Sequence, residues 1–574
     1  MEALLMHLRK PISIYIYVFL CLAALAVVKA EVMLQPKPSA TATEETRSLD
    51  VSQVGTAPTP ALTSETMEVA ALGRPLFPGM LYDCLNDSFI PGLTLWDNKS
   101  LSEYLDSHQH PQTNLKFSSS DSLSSKFSLL DLNTSLKTSF LAGLVEVGGS
   151  GKFLRDTKSS KQQSRSTIFY SETTRYEQLT MSQLGNITYP GVLDLKSATH
   201  VVTGVLYGAQ AIMVFDRMIS EEEDKQEIDG KLNAMVKKIP YFSTEANTTL
   251  KMTAAEKKMA EKITCTFHSD VHLHQNPTTY MEALDLYKQL PALLKNPQNE
   301  VPIKVWLYPL HLLNAKTAWV QREISASVAF ETECIIEELG KAERTYNDLS
   351  GTALVNSFSD IKERLQLFQK SFSIYKTMFL EALGRVLPAV RGGEVEEKSL
   401  EDILKIHRSS PFNADPLIKW LTTARTELHI LSFLTKSLEG IQIEDSDRLN
   451  NIILNPDVPQ VFCLTFTSLK YEDPYISALK EYLKTDRFKD LDGKHNMVSV
   501  GSIKKWFIDS HLRKKMLNNI NVFKGLLKQH EGQKVMFIIS AISDPSNPGS
   551  SIYLYERGQL KDKQAQNVDW GLGN

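Results

Sequence analysis

Cysteine is scarce, with five residues in 574. None stands in a C-x-x-C pair, which excludes a zinc ribbon and a dithiol redox site. Cys21 lies in an amino-terminal apolar run. That leaves Cys84, Cys265, Cys334 and Cys463, too few for a disulfide scaffold. One bridge among them, or buried free thiols, fits equally. An excess of one charge is also lacking. The 63 basic and 67 acidic residues, net −4, give no polybasic surface and no expectation of a nucleic-acid partner. There is no G-x-S-x-G, P-loop or H-E-x-x-H motif. The chain is therefore expected to be no enzyme and to need no cofactor.

Long apolar runs are missing except at residues 12–28, which follow Arg9 and Lys10 and end at Val28-Lys29-Ala30. Residues 1–30 read as a secretory signal. The alternative is an uncleaved anchor, since the run is near the ~17-residue minimum for a spanning helix. A secreted chain can use N-x-S/T sequons, which occur at Asn86, Asn98, Asn133, Asn186 and Asn247.

Composition shifts divide the rest. Residues 31–70 are rich in Ser, Thr, Pro, Ala and Glu and read as a disordered leader. Residues 71–318 are mixed, with strand-like runs at 166–180, 199–215 and 262–274. Residues 319–455 turn helical, over 319–347, 361–387, 399–408 and 414–441. In the second of these, Leu365, Phe368, Phe372, Tyr375, Phe379 and Leu383 follow one another at spacings of three and four. Pro388 and Gly392-Gly393 are expected to end that helix, and the four helices to form a bundle. Residues 456–560 read as α/β. A strand at 461–469 precedes a helix at 473–485, with Asp473 as its cap and Pro474 at its first position. A helix at 502–530 and strands at 534–542 and 551–557 follow, then a tail at 561–574.

Several separated motifs carry a resemblance. They are Gly73-Arg-Pro-Leu-Phe-Pro-Gly-Met-Leu-Tyr82, Leu141-Ala-Gly-Leu-Val-Glu-Val-Gly-Gly-Ser150, Ala198-Thr-His-Val-Val202 and Leu206-Tyr-Gly-Ala209. Further along stand Lys304-Val-Trp-Leu-Tyr-Pro-Leu310, Ser410-Pro-Phe412 and Phe462-Cys-Leu-Thr-Phe-Thr-Ser468. Over roughly residues 71–560 the chain resembles the stonustoxin/verrucotoxin family of fish lytic toxins. The resemblance implies an α+β multidomain fold. A twisted antiparallel sheet with flanking helices comes first, of the membrane-attack-complex/perforin and cholesterol-dependent-cytolysin (MACPF/CDC) type. A four-helix bundle like the focal-adhesion-targeting domain and a thioredoxin-like domain follow. Family members usually end in a PRY/SPRY β-sandwich, for which no room is expected before Asn574. The resemblance also implies a secreted, pore-forming, cytolytic effector. Such a protein oligomerises, with copies of itself or with a paired related subunit, and inserts β-hairpins into target membrane lipid.

Segments that change from helix to hairpin must satisfy two periodicities at once, 3.6 and 2. Leu130, Leu132, Thr134, Leu136, Thr138, Phe140, Ala142 and Leu144 make one face of a strand. Asp131, Asn133, Ser135, Lys137 and Ser139 make the other. The same stretch puts Leu129, Leu132, Leu136, Phe140 and Leu144 on one helical face, and Gly148, Gly149 and Gly151 supply a turn. A second stretch has a helical stripe of Ile228, Leu232, Met235, Val236 and Ile239. Beyond it Phe242, Leu250 and Met252 belong to an alternating run. The membrane-inserting candidates are thus Leu130, Leu132, Leu136, Phe140, Leu144, Phe242, Leu250 and Met252. A surface helix of a soluble domain gives the same first stripe, and glycans on Asn133 or Asn247 would oppose insertion. The alternative function is a non-lytic scaffold whose bundle and thioredoxin-like domain bind partners. Gly204 and Gly208, in the core sheet by resemblance, either let the sheet bend or serve close packing. His268, His272 and His274 alternate without an acidic or cysteine partner, so no metal site is expected. Cys463 falls within a strand as a core residue. The purified protein is therefore expected not to reduce insulin; measurable turnover would revive a redox reading.

Overall fold

The computed structural model describes residues 66–180, 186–243, 252–489 and 500–565. The signal, most of the leader, Asn247 and Leu250 lie outside them. An eight-stranded sheet organises the first domain. Its strands are β1 (Met67–Ala70), β2 (Met80–Asp83), β3 (Ser88–Thr94), β4 (Leu105–Ser118), β5 (Gln163–Leu179), β6 (His200–Met218), β7 (Thr264–Ser269) and β8 (Val301–Pro309). The two long strands β5 and β6 carry the β-branched and aromatic runs that mark them in the sequence. The expected run at 262–274 shortens to β7, because Asp270 turns inward to accept the Gln210 N–H at 2.9 Å. The leader ends earlier than expected: Val69 and Ala70 are buried where β1 pairs antiparallel with β8. The edge strand β4 has no apolar alternation. Its residues 107–115 are exposed, and it is a strand only through its ladder with β5, broken by a bulge between Gln109 and Gln112 that holds Pro111.

Every pairing within this sheet is antiparallel. β6 changes partner along its length. Residues 200–208 face β8 and residues 211–216 face β7, so the sheet forks after Gly208.

Helices on this domain are α1 (Asn98–Tyr104), α2 (Leu123–Leu129), α3 (Thr134–Leu141), α4 (Lys225–Lys237), α5 (Ile239–Ser243), α6 (Ala254–Ala260) and α7 (Tyr280–Leu294). The bundle follows with α8 (Ala326–Ser350), α9 (Ala353–Ser357), α10 (Ser359–Arg391), α11 (Lys398–Arg408) and α12 (Ala414–Lys436). Helix α8 begins at Ala326 rather than near 319, because the Ser325 side chain caps it. Before it, Gln321 donates its N–H to the Arg391 carbonyl at 2.8 Å. Pro388 does not end α10. The helix continues to Arg391, since a proline near the last turn forfeits only one internal N–H bond. The aromatic stripe expected in α10 is buried throughout.

The last domain has α13 (Ser446–Ile453), β9 (Gln460–Phe466), α14 (Pro474–Tyr482), α15 (Ser510–Gln529), β10 (Val535–Ala541), β11 (Ser550–Glu556) and β12 (Gln559–Asp562). Its sheet runs β10-β9-β11-β12, with β9 and β10 parallel and the others antiparallel. It starts before 456, because Ile443 already bridges Ile539. Helix α15 starts at Ser510, not 502, where Asp509 accepts the N–H groups of His511 and Leu512. Cys84, Cys265, Cys334 and Cys463 are all free thiols. Burial pushes the Cys463 thiol up to about 12, which leaves no thiolate at neutral pH.

The bundle and the thioredoxin-like domain share one hydrophobic core. A buried carboxylate crosses it. Glu427 of α12 accepts from Arg364 Nη2 at 2.7 Å, Trp506 Nε1 at 2.9 Å and Tyr471 OH at 3.1 Å. Removing one partner of such a buried pair typically costs ~3–5 kcal/mol, because the other charge is stranded. Glu427→Leu is expected to lose about that much in denaturant unfolding. Adding Arg364→Met is expected to restore most of it, and a double variant no better than the single would refute the pairing.

Candidate membrane-insertion segments

Residues 119–162 join β4 to β5, and residues 219–263 join β6 to β7. Both leave the sheet at the same end. One row of paired residues, Ser118–Thr167–Val214–Thr266, marks that end. Among the described residues no helix is long and apolar enough to cross a membrane.

In the first segment the expected single helix is two short ones. Asp131 adopts a left-handed φ of 55° between α2 and α3 and breaks the stripe. Asn133 then caps α3, accepting the Leu136 N–H at 2.8 Å, while its amide donates to the Glu68 carbonyl at 2.6 Å. Leu130, Leu132 and Leu136 are buried against the sheet, and Phe140 and Leu144 are half-buried. Phe140 stands edge-on to Phe127. In the second segment Ile228, Leu232, Met235, Val236 and Ile239 form one buried face, joined by Phe242 and Met252. Asn86, Asn98 and Asn186 are exposed.

Buried charges fix the first segment to the sheet. Arg165 of β5 makes a two-pronged contact with Asp216 of β6, at 2.7 and 2.8 Å. Its Nη1 lies 3.0 Å from both Asp121 and Asp156, which flank the helices of the segment. Lys126 of α2 reaches the same Asp121 at 3.0 Å. Burial pushes the Asp121 carboxyl up, but Lys126 and Arg165 outweigh it and hold it below its usual value. Asp156 behaves likewise, with His268 and Arg165 as its partners. His268 is thus held by Asp156 at 2.7 Å, and His272 and His274 stand ring to ring.

A second node ties the segment to the bundle. Arg391, at the end of α10, is fully buried. Its guanidinium donates to Asp87 at 3.0 Å, to Ser139 Oγ at 2.7 Å and to the Ser135 carbonyl at 2.9 Å. Ser139 and Tyr82 also donate to Asp87. Helix α8 adds Glu337, which accepts the Leu123 N–H, and Asp348, which accepts the Lys161 N–H at 3.1 Å. Sequence reading missed Arg391, Arg165 and Asp87. The available signal was Arg391, a charge four residues beyond Leu387 on an apolar stripe.

The glycines mark the fork. A Cβ on Gly208 would lie 2.1 Å from the Glu172 carbonyl, and one on Gly204 2.6 Å from the Tyr176 hydroxyl. Both positions serve close approach, and both stand beside register shifts in β6.

Known proteins resemble this chain. A family model described as the thioredoxin-like SNTX domain matches residues 441–566, and one described as the stonustoxin helical domain matches residues 334–429. Neoverrucotoxin subunit alpha of Synanceia verrucosa is 35% identical, covering 87% of this chain and 71% of its own. The chain belongs to the stonustoxin family. Cytolytic toxin-alpha of Scorpaena plumieri is 32% identical over 87% of this chain and 70% of its own. The solved stonustoxin structure matches with a TM-score of 0.68 at 30% identity, covering 87% of this chain and 68% of that one. These relatives are named as toxins. In this stonustoxin-family chain the antiparallel sheet, helical bundle and thioredoxin-like domain follow one another in the implied order.

The charge cluster sets a pH dependence. Asp121 and Asp156 have folded-state pKa values below the unfolded ~3.9. Their stabilisation is present above that value and is lost as pH falls through the lowered ones. Hydrogen exchange is expected to open α2 first in acid, before the bundle helices. Asp121→Asn is expected to open α2 already at pH 7. Unchanged protection in that variant would remove the cluster from the account.

Proposed function

We propose that this chain is a secreted pore-forming cytolytic effector whose two segments become β-hairpins in a target membrane. The observation that carries the proposal is topological. Each segment joins antiparallel neighbours, so straightening it lengthens β4, β5, β6 and β7 without re-threading the chain. Each is long enough for two crossings of roughly 9–11 residues and a turn. Leu130, Leu132, Leu136, Phe140 and Leu144 then face lipid in the first hairpin, and Phe242, Leu250 and Met252 in the second. Gly204 and Gly208 sit where β6 would bend to release its lower half from the fork. Hydrogen-bond closure in lipid demands a complete barrel, so several chains must join through the outer edges of β4 and β7. The partner is a copy of this chain or a related subunit, a reading supported by the relatives named as subunits.

Dye release from liposomes tests the insertion. Thr134 is exposed in the soluble fold and falls on the lipid face of the hairpin. A cation at mid-membrane costs ~2–4 kcal/mol on such a strand. Thr134→Arg leaves the Asn133 sequon intact and is expected to lower release at least roughly 30-fold with an unchanged melting temperature. Asp131→Asn, on the polar face, is expected to release dye as the parent does. Equal release by Thr134→Arg would sink insertion of the first segment. A parent protein that releases nothing from membranes it binds would favour the scaffold reading.

A further inference from the structure

Between α4 and α6, inside the second segment, lies a cavity of about 430 Å³. That volume is within the range of roughly 300–1,000 Å³ common for small-molecule sites. Its floor is apolar, built by Ile228, Met235 and Met259. Its rim is cationic: Arg217, Lys231, Lys238, Lys258 and Lys262 surround it, against the carboxylates Glu223 and Glu256. Four of the five cations are partly answered. Arg217 donates to Glu223 at 2.6 Å and Lys238 to Glu256 at 2.6 Å, Lys231 pairs with Glu227 at 2.5 Å, and Lys262 lies 3.9 Å from Glu223. The excess of positive charge remains. Arg217 itself is buried, and its Nε has no hydrogen-bond partner. A buried donor without an acceptor is costly, and an anion in the cavity would remove that cost.

We propose that this cavity binds a single-chain lipid anion, with an alkyl tail on the methionine floor and a carboxylate or phosphate head among Arg217, Lys258 and Lys262. An apolar floor alone would suit any tail, and a cationic rim alone any anion. Their combination selects a molecule that carries both. The ligand bridges α4 and α6, so its occupancy holds the two helices together. For the pore, this means that the ligand opposes release of the second hairpin, a consequence that rests on the function proposed above.

The test needs no membrane, so its failure is separable from failure of that function. Full-length protein is titrated calorimetrically with laurate and, separately, with dodecyl phosphate, both below their micelle concentrations. Either is expected to bind one-to-one and to slow hydrogen exchange in α4 and α6. The tighter of the two identifies the head group. Dodecyl maltoside has the tail without the charge, and inorganic phosphate the charge without the tail. Both are expected to bind at least tenfold more weakly. Lys258→Glu combined with Lys262→Glu changes only exposed positions and is expected to weaken the anion at least tenfold with an unchanged melting temperature. Arg217→Lys serves as a second variant that keeps the charge and alters its geometry. The site is overturned if the neutral detergent or bare phosphate binds as tightly as the lipid anion. Unaltered binding by the double lysine variant overturns it too.

Discussion

The guanidinium of Arg391 has no contact with water and must be answered wholly by protein. Its partners come from three places: Asp87 beside β3, Ser135 and Ser139 on α3, and carbonyls of Cys84 and Leu85. A charge buried without such partners is severely penalised, so sheet, first segment and bundle have to meet in one geometry or not at all. Arg165 imposes the same condition on the other side of the segment, where it answers three aspartates at once. The first segment is therefore held from both sides by groups that are individually costly to strand. Detaching α3 takes Ser135 and Ser139 from Arg391, and detaching α2 parts Lys126 from Asp121.

Close backbone packing reinforces these charges. A Cβ on Gly384 of α10 would lie 2.9 Å from the Ala142 carbonyl at the end of α3, so the helix surface is notched where the segment ends. Gly149 takes a positive φ of 48°, and a Cβ there would collide with Asp270. Asp270 in turn holds the N–H groups of Ser150 and Gln210 at 2.9 Å each. The fork of the sheet and the return of the first segment thus share one carboxylate. The second segment is secured differently, by the apolar face of α4 and α5 on the sheet, with charge confined to its outer rim.

Much of this fold was legible in the sequence. The stripe of α10 could be read because about five turns of one helix repeat the same spacing, and β5 and β6 because they are long and rich in β-branched and aromatic residues. The inserting candidates on the first stretch were legible as apolar positions. The break at Asp131 was not, since one left-handed residue leaves no periodic trace. Strand β4 was invisible because residues 107–115 face water and carry no apolar alternation. The nodes are harder still. Arg364, Arg391 and Glu427 each interrupt an apolar face, which signals burial, yet their partners lie from tens to hundreds of residues away and nothing local names them. Pro388 misled because helix-breaking rules apply to interiors, and its place in the final turn costs little.

The outer margin of β4 has a consequence for the protein at rest. An open strand edge of this length is a template for any extended chain that passes. Here the template is interrupted half-way, because Pro111 offers no N–H and the bulge at 109–112 shifts the spacing of the remaining groups. A stray strand can zip along a few residues and then loses register.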